Sequence, residues 1–581
     1  MLSNESILRL AATRIGPELA RAEIRDTDGV FVQIQNGKIT IGGQTVPQKL
    51  RACTLAHLNA HKESYTVSQQ PSFDTLGAML DMSRGGVMRP EQVKEFILRL
   101  ALCGANQLML YTEDIYTLEE YPHFGYLRGA YSDDELRDMD TYAAELGVEI
   151  VPCIQTLGHM AQYLTWNEEA KDMKDTDAVL LCDSEETDRF IEAALRKMRS
   201  VFRSGRIHIG MDEAHDMGLG AYYRKHGACN RYEVLQRHLA RVCRMCQELG
   251  LQPMMWSDMF FRIGSKNGKY YDTDVVFPQG LADRIPQVDL VYWDYYHKDT
   301  AFYEKMLDLH AELRRPVIFA GTVYTTRGFL PNLSLSHATT APALAACAKR
   351  GIREVFATMW GDDGCETDYF DALYGFAQYS ETCYAPKADA DAIAQMGSFL
   401  SGITPQLAEQ MDAFFLLERP KYLVWGDVFF NQTGVDFSTD RAFERVKTVA
   451  NGCENTYVSV LLRILYTKAL IYADLQQDYR NGRPLDRWAK QILPALLEDY
   501  RTLFSLHGER WLALNKPFGF EVLQARYAAT IQRLEYAIQI LDRYVSGGAD
   551  HIEELEYTPV FGEGRAPWYN FVAFTRVMNF Y

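Results

Sequence analysis

No stretch of this sequence approaches the roughly 20 consecutive apolar residues that a membrane-crossing helix needs, so no such helix is expected. A basic excess is also lacking. The 60 Lys and Arg stand against 77 Asp and Glu, for a formal net charge of −17. An acidic surface repels phosphate backbones and anionic lipid, so neither nucleic acid nor a membrane is expected as a partner. The opening residues, MLSNESILRL, have no basic region followed by an apolar one, so no secretory signal is evident and a cytoplasmic location is expected. The eleven cysteines are odd in number and scattered, which suits reduced thiols better than a disulfide framework. Cys243 and Cys246 have CxxC spacing but lie in a helical pattern with no second pair, so they read as buried structural thiols. No glycine-rich dinucleotide fingerprint follows any apolar run, and His208, His215 and Asp216 have no zinc-like spacing. No cofactor or metal is expected. Internal repeats and low-complexity tracts are absent as well.

What is present is an ordinary globular composition, 47% hydrophobic and 24% charged, in 581 residues. That length exceeds one hydrophobic core and implies two to four domains. Residues 1–70 read as a small α+β domain. Within it GVFVQIQNGKITIGG (29–43) alternates apolar and polar around Asn36-Gly37, a hairpin signal, between helix-like segments at 5–23 and 46–63.

From 71 to 387 short apolar runs alternate with amphipathic helices such as 91–105. The runs are 76–82, 107–112, 148–153, 206–211, 252–257, 288–294, 316–321 and 353–360. Near-continuous apolar runs suit strands covered on both faces. Capping boxes are expected at Ser132 with Glu135 and at Asp183 with Glu186. Eight such units suggest a closed (β/α)8 TIM barrel, in the α/β class; a doubly wound open sheet is the alternative. The fifth and sixth strands are joined by a long loop and only a short helix. From 388 to 581 segments such as 458–477 and 531–545 carry apolar residues at helical spacing, giving a C-terminal α-helical domain.

In a (β/α)8 barrel the chemistry sits at the C-terminal ends of the strands. In strand order those ends carry Arg84; Glu113 and Asp114; Gln155 and His159; Asp212 and Glu213; Trp256, Ser257 and Asp258; Tyr292, Trp293 and Asp294; and, after the eighth strand, Trp360, Asp362 and Asp363. Acids and aromatics on one rim make a sugar site: flat rings stack on C–H faces, while carboxylates and Arg hold hydroxyls. Adjacent residues of a strand point to opposite faces, so Asp212 and Glu213 share a pocket only where the chain leaves the strand. Ordinary glycosidases set their two acids on separate elements across the scissile bond. An adjacent pair implies that one acid protonates the leaving oxygen and the other orients a nucleophile carried by the substrate.

HIGMDEAH (208–215) resembles the H-x-G-x-D-E motif of glycoside hydrolase family 20, the β-N-acetylhexosaminidases. LDMSR (80–84), NQLMLYTED (106–114), VPCIQTLGH (151–159), YWD (292–294) and MWGDD (359–363) resemble its other strand-end motifs, in the same order. The resemblance implies an exo-acting enzyme that removes terminal β-linked GlcNAc or GalNAc from a glycoside or oligosaccharide, with retention, through an oxazolinium intermediate. It implies Glu213 as acid/base, Asp212 as the partner of the acetamido N–H, and Tyr292 as the partner of the acetamido oxygen. Trp256 and Trp360 would wall the pocket, with Trp293 beside them. Arg84, Asp294 and Asp362 would hold hydroxyls, and His159 with Glu113 or Asp114 would form a relay to Glu213. The family usually has two aspartates where Glu113-Asp114 stands, often a glutamate at Asp362, and in many members a Trp on the seventh rim, which GTVYTTRGF (321–329) lacks. His208 reads as packed inside the barrel, and Tyr295, Tyr296 and His297 stay unassigned. Other acetamido-assisted hydrolases (chitinase or O-GlcNAc hydrolase types) and a non-catalytic carbohydrate-binding protein are the alternatives. A homodimer through the helical domain is left open.

Overall fold

The computed structural model describes residues 1–562 except Arg327, Asp363, Lys387 and Ala388. The boundary expected at 387/388 and the chain beyond 562 therefore lie outside the described residues.

The N-terminal segment forms a four-stranded sheet of β1 (Glu23–Arg25), β2 (Val30–Gln35), β3 (Lys38–Gly42) and β4 (Ser64–Gln69), in the order β1-β3-β2-β4. The hairpin turns at Asn36-Gly37, with φ of 48° and 76°, the two positive values that a type I′ turn requires. The helix expected over 5–23 stops at Arg14; Gly16-Pro17 breaks it into a 3-10 turn and then β1. β4 was not expected. It is solvent-facing on alternate residues, and its stability comes from pairing with β2.

Eight parallel strands follow: β5 (Thr75–Asp81), β6 (Gln107–Thr112), β7 (Glu149–Ile154), β8 (Arg206–His208), β9 (Gln252–Trp256), β10 (Asp289–Trp293), β11 (Val317–Thr322) and β12 (Glu354–Met359). They close into a barrel because β12 pairs with β5, which removes the open-sheet alternative. β8 is the shortest, ending at His208 where the apolar run continues to Met211. Inward residues, among them Met79, Met109, Val151, Met254, Val291, Ile318 and Phe356, fill the lumen; outward ones pack on the helices. Between β9 and β10 only the helices Asp258–Gly264 and Leu281–Arg284 interrupt a long loop.

Ser132 and Glu135 form the expected capping box. Asp183 and Glu186 do not. Helix Glu185–Val201 starts after Ser184, and Asp183, at φ 59°, instead accepts from Arg237, Arg241 and Tyr222. Two guanidinium partners outcompete a neutral helix amide for that carboxylate.

Beyond the barrel, helices joined by loops run from Ala390 to Val545, the longest gap lying between Trp425 and Phe443. The segment at 458–477 bends through a π-turn at Ile471–Leu475 between two α-helical stretches. The N-terminal segment is tied to the barrel by Arg51, fully buried, whose guanidinium forks onto Glu381 at 2.7 and 3.0 Å. Among the described residues no helix is long and apolar enough to cross a membrane.

Candidate active site

The site is built around a turn that only a few backbone conformations allow. After β8 stops, Gly210, Met211 and Glu213 all take positive φ (68°, 71° and 48°). At Gly210 a side chain is excluded twice: the φ is left-handed, and a Cβ would lie 2.0 Å from Gln155 Oε1. The turn breaks strand alternation, so Asp212 and Glu213 both face one pocket. Such strain at non-glycine residues persists where surrounding bonds over-determine it. Gln155 accepts from the Met211 N–H (3.3 Å) and donates to Asp212 Oδ1 (3.0 Å). Asp258, wholly buried, accepts the Glu213 N–H at 3.1 Å and the Trp293 indole N–H at 3.4 Å.

The pocket encloses about 360 Å3. Its polar side holds Arg84, His159, Asp212, Glu213 and Asp362; its aromatic side holds Trp256, Trp293, Tyr295, Tyr296, Tyr324 and Trp360. His159 Nε2 stands 3.0 Å from Asp212 Oδ2 and 3.6 Å from Glu213 Oε2. Of the two candidates for the relay, Glu113 faces His159, its Oε1 4.0 Å from Nδ1. Asp114 turns away to Arg128, 3.2 Å from each oxygen. Arg84 lies among Asp81 (3.2 Å), Glu113 (3.3 Å) and Asp362 (3.8 Å), its guanidinium over the rings of Tyr111 and Trp360. Asp81, which also accepts the Gly361 N–H at 2.9 Å, joins the first strand to the eighth rim.

Electrostatics separates the carboxyls. Burial works against charge on both His159 and Asp212, but their proximity wins: His159 is raised to about 9, and Asp212 falls below the usual carboxylate range. Burial, with the Asp212 charge beside it, pushes Glu213 up from its ordinary value, opposed by His159. Burial raises Asp258 further, to about 8, helped by Asp212. Two adjacent carboxyls are thus pushed in opposite directions, the pattern of divided acid–base roles.

Two residues expected in the pocket do not reach it. On β10 inward and outward positions alternate: Val291 and Trp293 face the lumen, Leu290 and Tyr292 the helices. Tyr292 is buried against Tyr271, His310 and Phe319, and its hydroxyl donates to Asp294 Oδ2 at 3.2 Å. Asp294 serves the backbone instead, accepting the N–H groups of Tyr296 and His297 at 3.0 and 3.2 Å. Period two from Val291 points to Trp293 and Tyr295 as the pocket residues. The Tyr295 hydroxyl accepts the Trp360 indole N–H at 3.0 Å. Tyr324 supplies an aromatic on the seventh rim, where no Trp stands; Arg327 of that rim and Asp363 of the eighth lie outside the described residues. His208 is buried inside the barrel against Trp256, their ring centroids 4.4 Å apart. His215 bonds Tyr270.

Residues 73–271 match the family model for the glycosyl hydrolase family 20 catalytic domain, and residues 406–567 match that for the glycoside hydrolase 20C C-terminal domain. The chain is 24% identical over 202 residues to hexosaminidase D of Bos taurus, covering 33% of this chain and 55% of that one. It is 26% identical over 262 residues to a beta-hexosaminidase of Vibrio furnissii, covering 38% and 41%. The chain thus spans about half the length of the curated relatives it matches. Among solved structures it is similar to a GH20 exo beta-N-acetylglucosaminidase from Vibrio harveyi (TM-score 0.51, 16% identity, 68% of this chain and 70% of that one). It is also similar to the GH20 beta-N-acetylhexosaminidase of Streptomyces coelicolor A3(2) (TM-score 0.51, 17% identity, 69% and 91%). At such identities these two likenesses establish the shared fold.

Proposed function

The chain belongs to glycoside hydrolase family 20, and from that premise we propose that it is an exo-acting β-N-acetylhexosaminidase. Its substrates are glycosides ending in β-linked GlcNAc or GalNAc. The observation that carries the reading is the pair Asp212 and Glu213 on one wall of a pocket of about 360 Å3, the first pushed down and the second pushed up from the ordinary carboxyl value. A pocket of that size takes a terminal sugar residue, which fits exo action.

In the first step the acetamido oxygen of the substrate attacks the anomeric carbon. The bond to the leaving oxygen breaks, and Glu213 gives that oxygen its proton. Asp212, held charged by His159 and oriented by Gln155, accepts the acetamido N–H and balances the positive charge of the oxazolinium ring. In the second step Glu213 takes a proton from water, the water oxygen bonds the anomeric carbon, and the oxazolinium ring opens. The role implied for Tyr292 passes to Tyr295, which lines the pocket beside Trp360. Trp256 and Trp360 enclose the acetamido methyl, Arg84 and Asp362 hold ring hydroxyls, and Glu113 steadies the imidazolium of His159.

We also assign three domains, 1–70, 71–387 and 388–581, and a reducing compartment. None of the eleven cysteines is in a disulfide, which supports the compartment. The homodimer is a question for sedimentation.

The test is hydrolysis of a chromogenic β-N-acetylglucosaminide, with kcat falling at least ~10³-fold in Glu213→Gln. Absence of turnover on any N-acetylhexosaminide by the wild type sinks the enzyme reading. A thiazoline analogue of the oxazolinium should inhibit tightly. Trapping a covalent glycosyl-enzyme on either carboxylate overturns substrate assistance.

A further inference from the structure

One side chain from the long loop between β9 and β10 reaches back to the acid. Ser265 Oγ donates to Asp272 at 2.7 Å and accepts the Lys269 N–H at 3.1 Å, and Arg262 donates to the Gly268 carbonyl at 2.7 Å, so the loop folds on itself beside Tyr270. The Arg262 guanidinium lies over the Tyr270 ring, 4.9 Å from its centroid, and the ring centroid of Trp293 is 5.4 Å away. The Tyr270 hydroxyl meets two groups of the turn after β8: it is hydrogen-bonded to the Glu213 carboxyl and lies 2.8 Å from His215 Nε2. Those two residues are themselves joined, because the His215 N–H donates to the Glu213 carbonyl at 2.6 Å. Arg231 fixes the same stretch by donating to the carbonyls of Ala214 and His215 at 3.2 and 2.5 Å.

A hydroxyl has one proton to give, and a carboxylate can only accept. Once Glu213 has lost its proton, the Tyr270 hydroxyl donates to it, and His215 completes the chain by donating from Nε2 to the Tyr270 oxygen, which assigns the imidazole tautomer. Burial keeps His215 neutral, its pKa lowered to about 4 with the help of Arg262, His159 and Arg231 and against Asp216. Burial and the charges of Glu213 and Asp258 keep the proton on Tyr270, against Arg262. On Glu213 itself the Tyr270 bond acts with His159, against burial, Asp212 and Asp362. The acid is thus held from two loops, by His159 after β7 and by Tyr270 after β9. We propose that Tyr270, oriented by His215, is a positioning residue of the reaction: it fixes the Glu213 carboxyl in place and stabilises the carboxylate left when the proton is given up. The inference rests on the hexosaminidase reading, in which Glu213 is the acid.

The test uses the full-length protein and two substrates, methyl and 4-nitrophenyl β-N-acetylglucosaminide. Methoxide cannot leave without a proton, whereas 4-nitrophenolate needs little help from an acid. Tyr270→Phe keeps the ring and removes only the hydroxyl. Its kcat on the methyl glycoside should fall at least ~10-fold, part of the ~10²–10⁴ that general acid catalysis supplies, with KM nearly unchanged, and by less than ~3-fold on the nitrophenyl glycoside. Losing a bond that lowers the Glu213 pKa raises that pKa, so the alkaline limb of kcat/KM should move to higher pH. His215→Leu should repeat the pattern, and His215→Gln, which keeps an N–H donor, should largely restore the wild type. Wild-type rates in Tyr270→Phe, equal losses on the two substrates, or an alkaline limb that stays or moves toward acid overturn the proposal while leaving the hexosaminidase reading intact. Failure of the wild type to hydrolyse either substrate removes both.

Discussion

Lys421 Nζ lies 2.8 Å from Glu366 Oε2, and both side chains are almost wholly buried. The bond joins helix Pro420–Trp425, beyond the barrel, to the loop that follows β12. Lys421 also donates to the Asp362 carbonyl at 3.2 Å. Two more donors from the helical region reach Glu366: the Trp425 indole N–H at 3.0 Å and Arg526 at 3.2 Å. The rim carrying Trp360 and Asp362 is therefore braced from outside the barrel.

That bracing has a kinetic consequence. Glu366→Gln weakens three charge-assisted or polar bonds without emptying space, so the loop should loosen while Glu213 and Asp212 stay in place. The expected outcome is a loss in kcat/KM between ~10- and ~100-fold, carried by KM, as small misplacements of binding groups produce. Steady-state kinetics on a chromogenic substrate decides it, and an unchanged KM contradicts the bracing.

Tyr295 and Tyr292 make a paired comparison. Tyr295→Phe removes the hydroxyl of a pocket-lining residue, and kcat/KM should drop ~10²-fold, the usual cost of one lost transition-state donor. Tyr292→Phe removes a hydroxyl that faces Asp294 behind the strand, and should change kcat/KM less than ~3-fold by comparison, the side chain being outside the site. The reverse ranking would return Tyr292 to the role that the family resemblance implies.

The pH profile carries a sign. Catalysis needs Asp212 charged and Glu213 protonated, so Asp212 sets the acid limb and Glu213 the alkaline limb. His159 lowers the pKa of both. His159→Gln removes that cation, both pKa values rise, and both limbs of kcat/KM against pH should move to higher pH. A shift of either limb toward acid refutes the assignment.

Stability has its own test at Arg51 and Glu381. Arg51→Ala strands a buried carboxylate and should cost about 3–5 kcal/mol in chemical denaturation. Replacing both residues with apolar ones of similar volume should recover most of that loss, because no unpaired charge remains. A double variant no more stable than Arg51→Ala argues that packing, not the stranded charge, sets the cost.

The sequence by itself determined the eight strands, whose apolar runs needed no partner to be seen, and the acids at their ends. It determined the hairpin too, since Asn36-Gly37 accepts the positive φ that few other pairs tolerate. It also showed that Asp212 and Glu213 required a chain leaving its strand. Only the tertiary structure decided how far: β8 stops at His208, and Gln155 and Asp258, distant in sequence, hold the turn. Side-chain direction was equally out of reach at β10, because a one-residue difference in register exchanges Tyr292 for Trp293 and Tyr295. The choice of Glu113 over Asp114 was settled by Arg128, which draws Asp114 outward. Glu366 had no local signature, since its partners lie 55 or more residues away and meet it only when the helical region packs on the barrel.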